Sequence, residues 1–135
     1  YLVKLSACDM DADDSAQITK LLHLIGDLER VSDHAVNIVE SAEEIRDKKI
    51  EFSKEAQREL SVLRAAVSEI LEMTEKAVIE NDIALAAEVE PLEDVIDDLR
   101  DKIKLNHILR LQKSECTIEH GFILNDILIN ITVNK

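Results

Sequence analysis

Two short stretches hold the residues best placed for chemistry. In LERVSD, residues 28–33, Glu29 and Asp33 stand four apart, and in LEDVID, residues 92–97, Glu93 and Asp97 do the same. The two stretches share Leu, Glu, Val and Asp at matching offsets. On a helix this spacing stacks two carboxylates on one strip, where they repel each other by a few tenths of a kcal/mol. A cation would relieve that repulsion, so Glu29, Asp33, Glu93 and Asp97 are the candidate metal ligands. All-oxygen ligation favours Mg, Ca, Mn or iron over zinc, which takes His or Cys in most sites. Spacing alone does not single these pairs out, because 29 acidic residues in 135 generate about six such pairs by chance, mostly solvated helix faces. Glu40 with Glu44, Glu55 with Glu59, and Asp94 with Asp98 read that way. The shared context, and a place at the edge of an apolar stripe, set the two chosen pairs apart.

Other chemistry finds no support. There is no Gly-rich phosphate loop, no activated-cysteine motif, and no Ser/His/Asp order with supporting context. Glu119 directly precedes His120, so the Glu-x-x-His pattern of di-iron bundles is missing. His34 follows Asp33 but points elsewhere around the helix, and His23, His107 and His120 are scattered. The chain therefore reads as a non-enzyme. Two rivals to metal-dependent regulation remain: a metal-free helical interaction module and a carboxylate-ligated metalloenzyme.

The elements that must position these residues are helices. Ile18, Leu21, Leu22, Ile25, Leu28, Val31, Ala35, Val36 and Val39 recur at three- and four-residue steps and predict a helix over 16–49. Asp13, Asp14 or Ser15 would cap it, after a linker over 1–15 that includes the end of a preceding helix. Ser53 caps a second helix over 53–80, and Asn81 and Asp82 supply the next stop and cap. A third helix spans 82–113, with Pro91 expected to kink it or begin a new segment. A fourth covers 117–133, although its β-branched residues lower its propensity. Short links between long helices make an antiparallel bundle of three to four helices the economical all-α architecture, in a single domain over 1–135.

Composition agrees. Aromatics make up 2% of the chain, and only 2 Gly and 1 Pro interrupt it, which suits a core of Leu, Ile, Val and Ala packed between helices. The formal net charge of -13 excludes non-specific binding to nucleic acid or to an anionic lipid surface. No apolar run is long enough to span a bilayer, so no direct membrane insertion is expected. Cys8 and Cys116 lack metal-type spacing and read as reduced thiols. The chain opens without Met and closes inside an apolar-periodic segment, so it reads as a piece of something longer.

The stretch LLHLIGDLERVSDHAVNIVESAEEI, residues 21–45, resembles the PhoU family, whose helices carry Glu-Arg-x-x-Asp-His; Glu29, Arg30, Asp33 and His34 match it in full. YLVKLS, FSKEAQREL, the LEDVIDDL helix and HILRLQKSECTIEHGFILNDILINI are similar to the cytosolic PhoU-like region of bacterial sodium/phosphate cotransporters. The resemblance implies a PhoU-like bundle, control of phosphate uptake, and iron or zinc sites on the acidic motifs. It further implies a transmembrane sodium/phosphate transport segment as partner, on the same or a separate chain, and a place in the cytoplasm at the inner face of the cell membrane. One departure stands out: Thr132 and Val133 occupy positions where a second motif would place Glu and Arg. The site would then be half a site, or one completed by a second copy in a homodimer.

Overall fold

Side chains seven residues apart on two antiparallel helices set the architecture. The computed structural model describes residues 2–5 and 11–132. The regular elements among the described residues are all helical: α1 (Leu2–Leu5), α2 (Ala12–Asp47), α3 (Lys54–Glu80), α4 (Ile83–Gln112) and α5 (Ile118–Thr132). This is the all-α helical bundle that the apolar periodicity predicts. Proximity divides the chain into two compact units, Tyr1–Val36 and Asn37–Lys135.

The first unit contains α1 and α2 up to Val36. The Asp11 carboxylate accepts hydrogen bonds from the backbone N–H groups of Asp13 (3.0 Å) and Asp14 (2.8 Å), so the helix begins at Ala12 rather than at 16. Residues 12–15, read as linker, form its first turn, with Asp13 and Asp14 set favourably against the helix dipole. Residues 6–10, including Cys8, lie outside the described residues. The stripe expected to pack is instead exposed: Leu21, Leu22, Ile25, Leu28 and Val36 are 38–59% accessible. Among the described residues of this unit, one long helix and a four-residue helix provide no second face to bury it.

In the second unit, Ala56, Leu63, Ile70 and Ala77 are the buried residues of α3, and Ile96, Ile103 and Arg110 those of α4. Each set repeats every seven residues, the period that keeps a seam facing its neighbour. Leu63, Ile70, Ile96, Ile103, Leu124 and Leu128 form the core, flanked by Leu60, Val67, Leu92, Leu99 and Ile131. The link between α3 and α4 is two residues long. Asn81 takes the left-handed conformation (φ 52°), and the Asp82 N–H reaches back to the Ala77 carbonyl at 2.9 Å. The Asp82 carboxylate then accepts from the N–H groups of Ala84 and Leu85, both at 3.0 Å, opening α4. α4 continues through Pro91 as one helix instead of restarting there, although Pro91 cannot donate to the Ala87 carbonyl.

α5 packs on both α3 and α4. Its first turn is closed reciprocally: the His120 N–H donates to Thr117 Oγ1 and the Thr117 N–H donates to His120 Nδ1, each at 3.4 Å. A histidine here does the work that Glu or Gln does in a capping box. The last part of α2, from Asn37, lies beside α5. Asn37 Nδ2 donates to Asn130 Oδ1 at 3.0 Å, and Lys48 Nζ lies 2.9 Å from Glu119 Oε1.

Leu63→Ala and Leu128→Ala, both at fully buried positions, are expected to cost about 2–5 kcal/mol each in urea denaturation. Leu28→Ala, at a position 59% exposed, should stay within about 0.5 kcal/mol. Equal losses at all three positions would overturn this assignment of the core.

Candidate functional site

Helix geometry brings Glu93 and Asp97 together one turn apart on α4, and tertiary packing gives them a cavity. The cavity has a volume of about 30 Å³ and is lined by Val67 and Ile70 of α3, Glu93, Ile96 and Asp97 of α4, and Ile131 and Thr132 of α5. A site needs roughly 10–15 Å³ of such volume for one water, so one small ion or one to two waters fit. Thr132, the residue that departs from the acidic motif, faces this cavity with a hydroxyl in place of a carboxylate. Its Oγ1 donates to the Leu128 carbonyl at 2.7 Å, leaving oxygen lone pairs to accept or ligate.

Asp97 is already engaged. Arg100 Nη1 donates to Asp97 Oδ1 at 2.6 Å, and Arg100 Nε donates to Asp101 Oδ1 at 3.0 Å. The Asp101 hydrogen bond, with the charges of Asp97 and Asp101, raises the Arg100 pKa further. The same Arg100 hydrogen bond lowers the Asp101 pKa. One guanidinium therefore spans two carboxylates at the mouth of the acidic pair.

Glu29 and Asp33 belong to the other unit. Both are exposed on α2, and among the described residues no hydrogen bond or ion pair holds either carboxylate. Arg30 donates from Nη2 to Asp27 Oδ1 at 2.6 Å, the exposed pairing that the helical angles predict. The packing interface expected beside Glu29 is not formed within this unit, because the adjoining stripe is exposed.

The oxygen donors at the cavity suit a hard cation such as Mg or Mn, and iron can use carboxylates; zinc is the poorer match. Among the described residues no group of three or more His, Cys, Asp or Glu is arranged to hold a metal ion. Glu93 and Asp97 would supply two oxygen donors of any such shell, and Glu29 and Asp33 stand together, exposed, on α2.

Two polar clusters escaped the sequence reading. Glu59, taken there as a solvated acid, is partly buried and receives Arg110 in a two-pronged pairing, Nη1 to Oε1 at 3.1 Å and Nη2 to Oε2 at 2.9 Å, with Asn106 Nδ2 on Oε1 at 2.8 Å. Its signal was the seven-residue series Ile96, Ile103, Arg110, which places Arg110 on the seam. His107 and His120, read as scattered, are close enough for the charge of His120 to be felt at His107. Cys116 Sγ lies 3.7 Å from His107 Nδ1, and His107 Nε2 is buried without a hydrogen-bond partner among the described residues. A Cβ on Gly121 would come within 2.7 Å of that Nε2, which explains a glycine inside α5. Burial, then the positive Arg110 and His120, lower the His107 pKa from 6.5.

With this geometry described, comparison with known proteins adds the following. Residues 1–42 match the PhoU domain family. The chain is also 29% identical over 102 residues to the phosphate-specific transport system accessory protein PhoU homolog 1 of Thermotoga maritima, covering 76% of this chain and 43% of that protein. Together these matches support the PhoU family. The chain spans less than half the length of this curated relative. No solved structure matches it significantly. The PhoU-domain match contains Glu29, Arg30, Asp33 and His34, whereas Glu93 and Asp97 lie beyond it.

Two measurements check this description. Glu59→Ala strands a buried guanidinium and should cost about 3–5 kcal/mol, whereas Glu59→Leu combined with Arg110→Leu should cost far less; equal costs would place the pair in solvent. For His107 the folded pKa is depressed, so its contribution is fully present above pH 6.5 and is lost as pH falls through the lower folded value. Denaturation midpoints of the native chain should drop on going from neutral to mildly acid pH, and the drop should shrink in His107→Leu.

Proposed function

We propose that this chain is a regulatory domain of phosphate transport that senses a divalent metal through Glu29, Asp33, Glu93 and Asp97. Its place would be the cytoplasmic face of a sodium-dependent phosphate transporter, whose membrane-spanning segment would be the partner it regulates. The family matches support regulation of phosphate transport, because the relative they include is named an accessory protein of a phosphate-specific transport system. The observation that carries the metal reading is the shared cavity of Glu93 and Asp97, walled by three helices. No helix among the described residues is long and apolar enough to cross a membrane.

The chain's own residues suggest how occupancy would be felt. A divalent metal would supply positive charge beside the paired carboxylates. Asp97 could then release Arg100, which keeps Asp101 as its alternative partner. Ile131 and Thr132 on α5 share the cavity with Val67 and Ile70 on α3, so a change there bears on the packing of all three helices. Iron or zinc follows from the family resemblance; Mg or Mn follows from the oxygen donors. In this reading the domain regulates and does not catalyse. A metal-free interaction module is the alternative, and the exposed stripe of α2 is the observation that favours it.

Elemental analysis of the purified chain, with calorimetry against Mn, Fe, Zn and Mg, tests the proposal. Binding is expected to fall at least tenfold in Glu93→Gln with Asp97→Asn, since two charged ligands are lost, about 1.4 kcal/mol or more. Absence of bound metal, and of heat with all four ions, would leave the interaction module standing.

A further inference from the structure

The joint between α4 and α5 is built around an imidazole wedged against a backbone. His107 comes from the later turns of α4, and its Nε2 is buried where a Cβ on Gly121 of α5 would stand 2.7 Å away. Among the described residues no hydrogen-bond partner reaches that nitrogen. The other ring nitrogen, Nδ1, lies 3.7 Å from Cys116 Sγ in the link between the helices, and the same sulfur lies 3.9 Å from the His107 carbonyl oxygen. One side chain thus touches the link and the first turn of the following helix together.

That place suits a neutral ring. With its single proton on Nδ1, facing the sulfur, neutral imidazole leaves Nε2 as a bare lone pair and strands no donor. As imidazolium both nitrogens donate, and the Nε2 proton meets the Gly121 backbone with no acceptor, a charged donor left unpaired. The neighbouring charges give little relief. Arg110, on α4, disfavours the cation, and Lys104 of the same helix lines the groove beside the ring. Glu59 on α3 favours the cation, but its oxygens already receive Arg110 and Asn106. A proton on His120 of α5 can be donated to Thr117 Oγ1, 2.6 Å from its Nδ1, and that charge then opposes a second one on His107. Burial, with Arg110 and His120, accordingly holds the His107 pKa below 6.5, so the closed joint binds the proton less tightly than an open one. We propose that His107 is a proton-operated latch: neutral, it closes the first turn of α5 onto α4, and protonated, it swings away from Gly121 and opens the joint over residues 116–121. The opening is local, because Ile123, Leu124 and Leu128 hold the rest of α5 against the hairpin. It rests on neither the metal reading nor the transport reading.

Cys116 reports on the joint, because its sulfur lies against the latch. The whole chain, carrying Cys8→Ser so that one thiol remains, is treated with a dipyridyl disulfide at a series of pH values. Each rate is divided into that of the urea-unfolded chain at the same pH, which removes the titration of the thiol itself and gives a protection factor. Protection of Cys116 should be steady above pH 6.5 and fall on the order of tenfold by about pH 5, as the proton drives opening. In His107→Gln, whose side chain takes no proton, protection should stay flat across that range. Gly121→Ala should lower protection already at neutral pH, since the added methyl displaces the ring, and should flatten the pH dependence as well. Helix content by circular dichroism should hold constant throughout. Constant protection in the native chain overturns the proposal, and so does a Gly121→Ala chain that behaves like the native one. A fall that persists in His107→Gln would assign the proton to another group, and a fall that tracks loss of helix content would make the event global unfolding; either result removes the latch.

Discussion

The bundle depends on one constraint: on α3 and α4, every seventh side chain must meet its counterpart across an antiparallel seam. Ala56, Leu63, Ile70 and Ala77 on one helix and Ile96, Ile103 and Arg110 on the other leave little choice of register. A slip by one residue would turn the row away from its partner. A slip by a full turn would separate Arg110 from Glu59 and leave a charge without compensation among apolar side chains. The aliphatic layers supply the driving force, and the polar layer at the open end of the hairpin specifies which layers match. The two-residue link at the other end enforces the same alignment, because Asn81 and Asp82 close one helix and open the next without slack.

Much of this was legible from residue order, for reasons that differ by element. Apolar spacing located the four long helices, because burial of one face imposes the 3.6-residue period directly. Ser53, Asn81 and Asp82 were legible as boundaries, since capping is a short-range interaction. The start of α2 was missed because several acids in a row compete for the cap, and Asp11 wins by presenting its carboxylate to two N–H groups. Pro91 is expected to kink α4 or begin a new segment, yet α4 continues through it and the surrounding helix tolerates the single lost donor. Shared sequence context, rather than spacing alone, set the two candidate pairs apart. The cavity beside Glu93 and Asp97 was not, because it takes side chains from helices that are distant in the chain. Glu59 was misjudged for the same reason: a carboxylate in a strongly acidic chain looks solvated until its partner, fifty-one residues away, is placed.

Acidity is handled differently in the two units. In the second, cations are spent locally: Arg100 bridges Asp97 and Asp101, Lys48 lies between Glu44 and Glu119, and Arg110 is committed to Glu59. The hydrogen bond to Glu44, and then that to Glu119, raises the Lys48 pKa, and the Lys48 hydrogen bond lowers that of Glu119. These surface links are screened by salt and steer geometry more than they add stability. In the first unit Arg30 pairs with Asp27 on the exposed face of α2.

The glycine in α5 has a consequence for how that helix is held. Gly121, with Ile118, Ile123, Ile127, Ile129 and Ile131, gives this fifteen-residue segment little tendency to coil by itself. Its order is borrowed from the hairpin on which it lies, through Ile123, Leu124 and Leu128 buried against α3 and α4. Because Ile131 and Thr132 form one wall of the space beside Glu93 and Asp97, that space exists only while the borrowed helix is in place. The acidic pair thus sits where local fraying and ligand occupancy draw on the same small reserve of free energy.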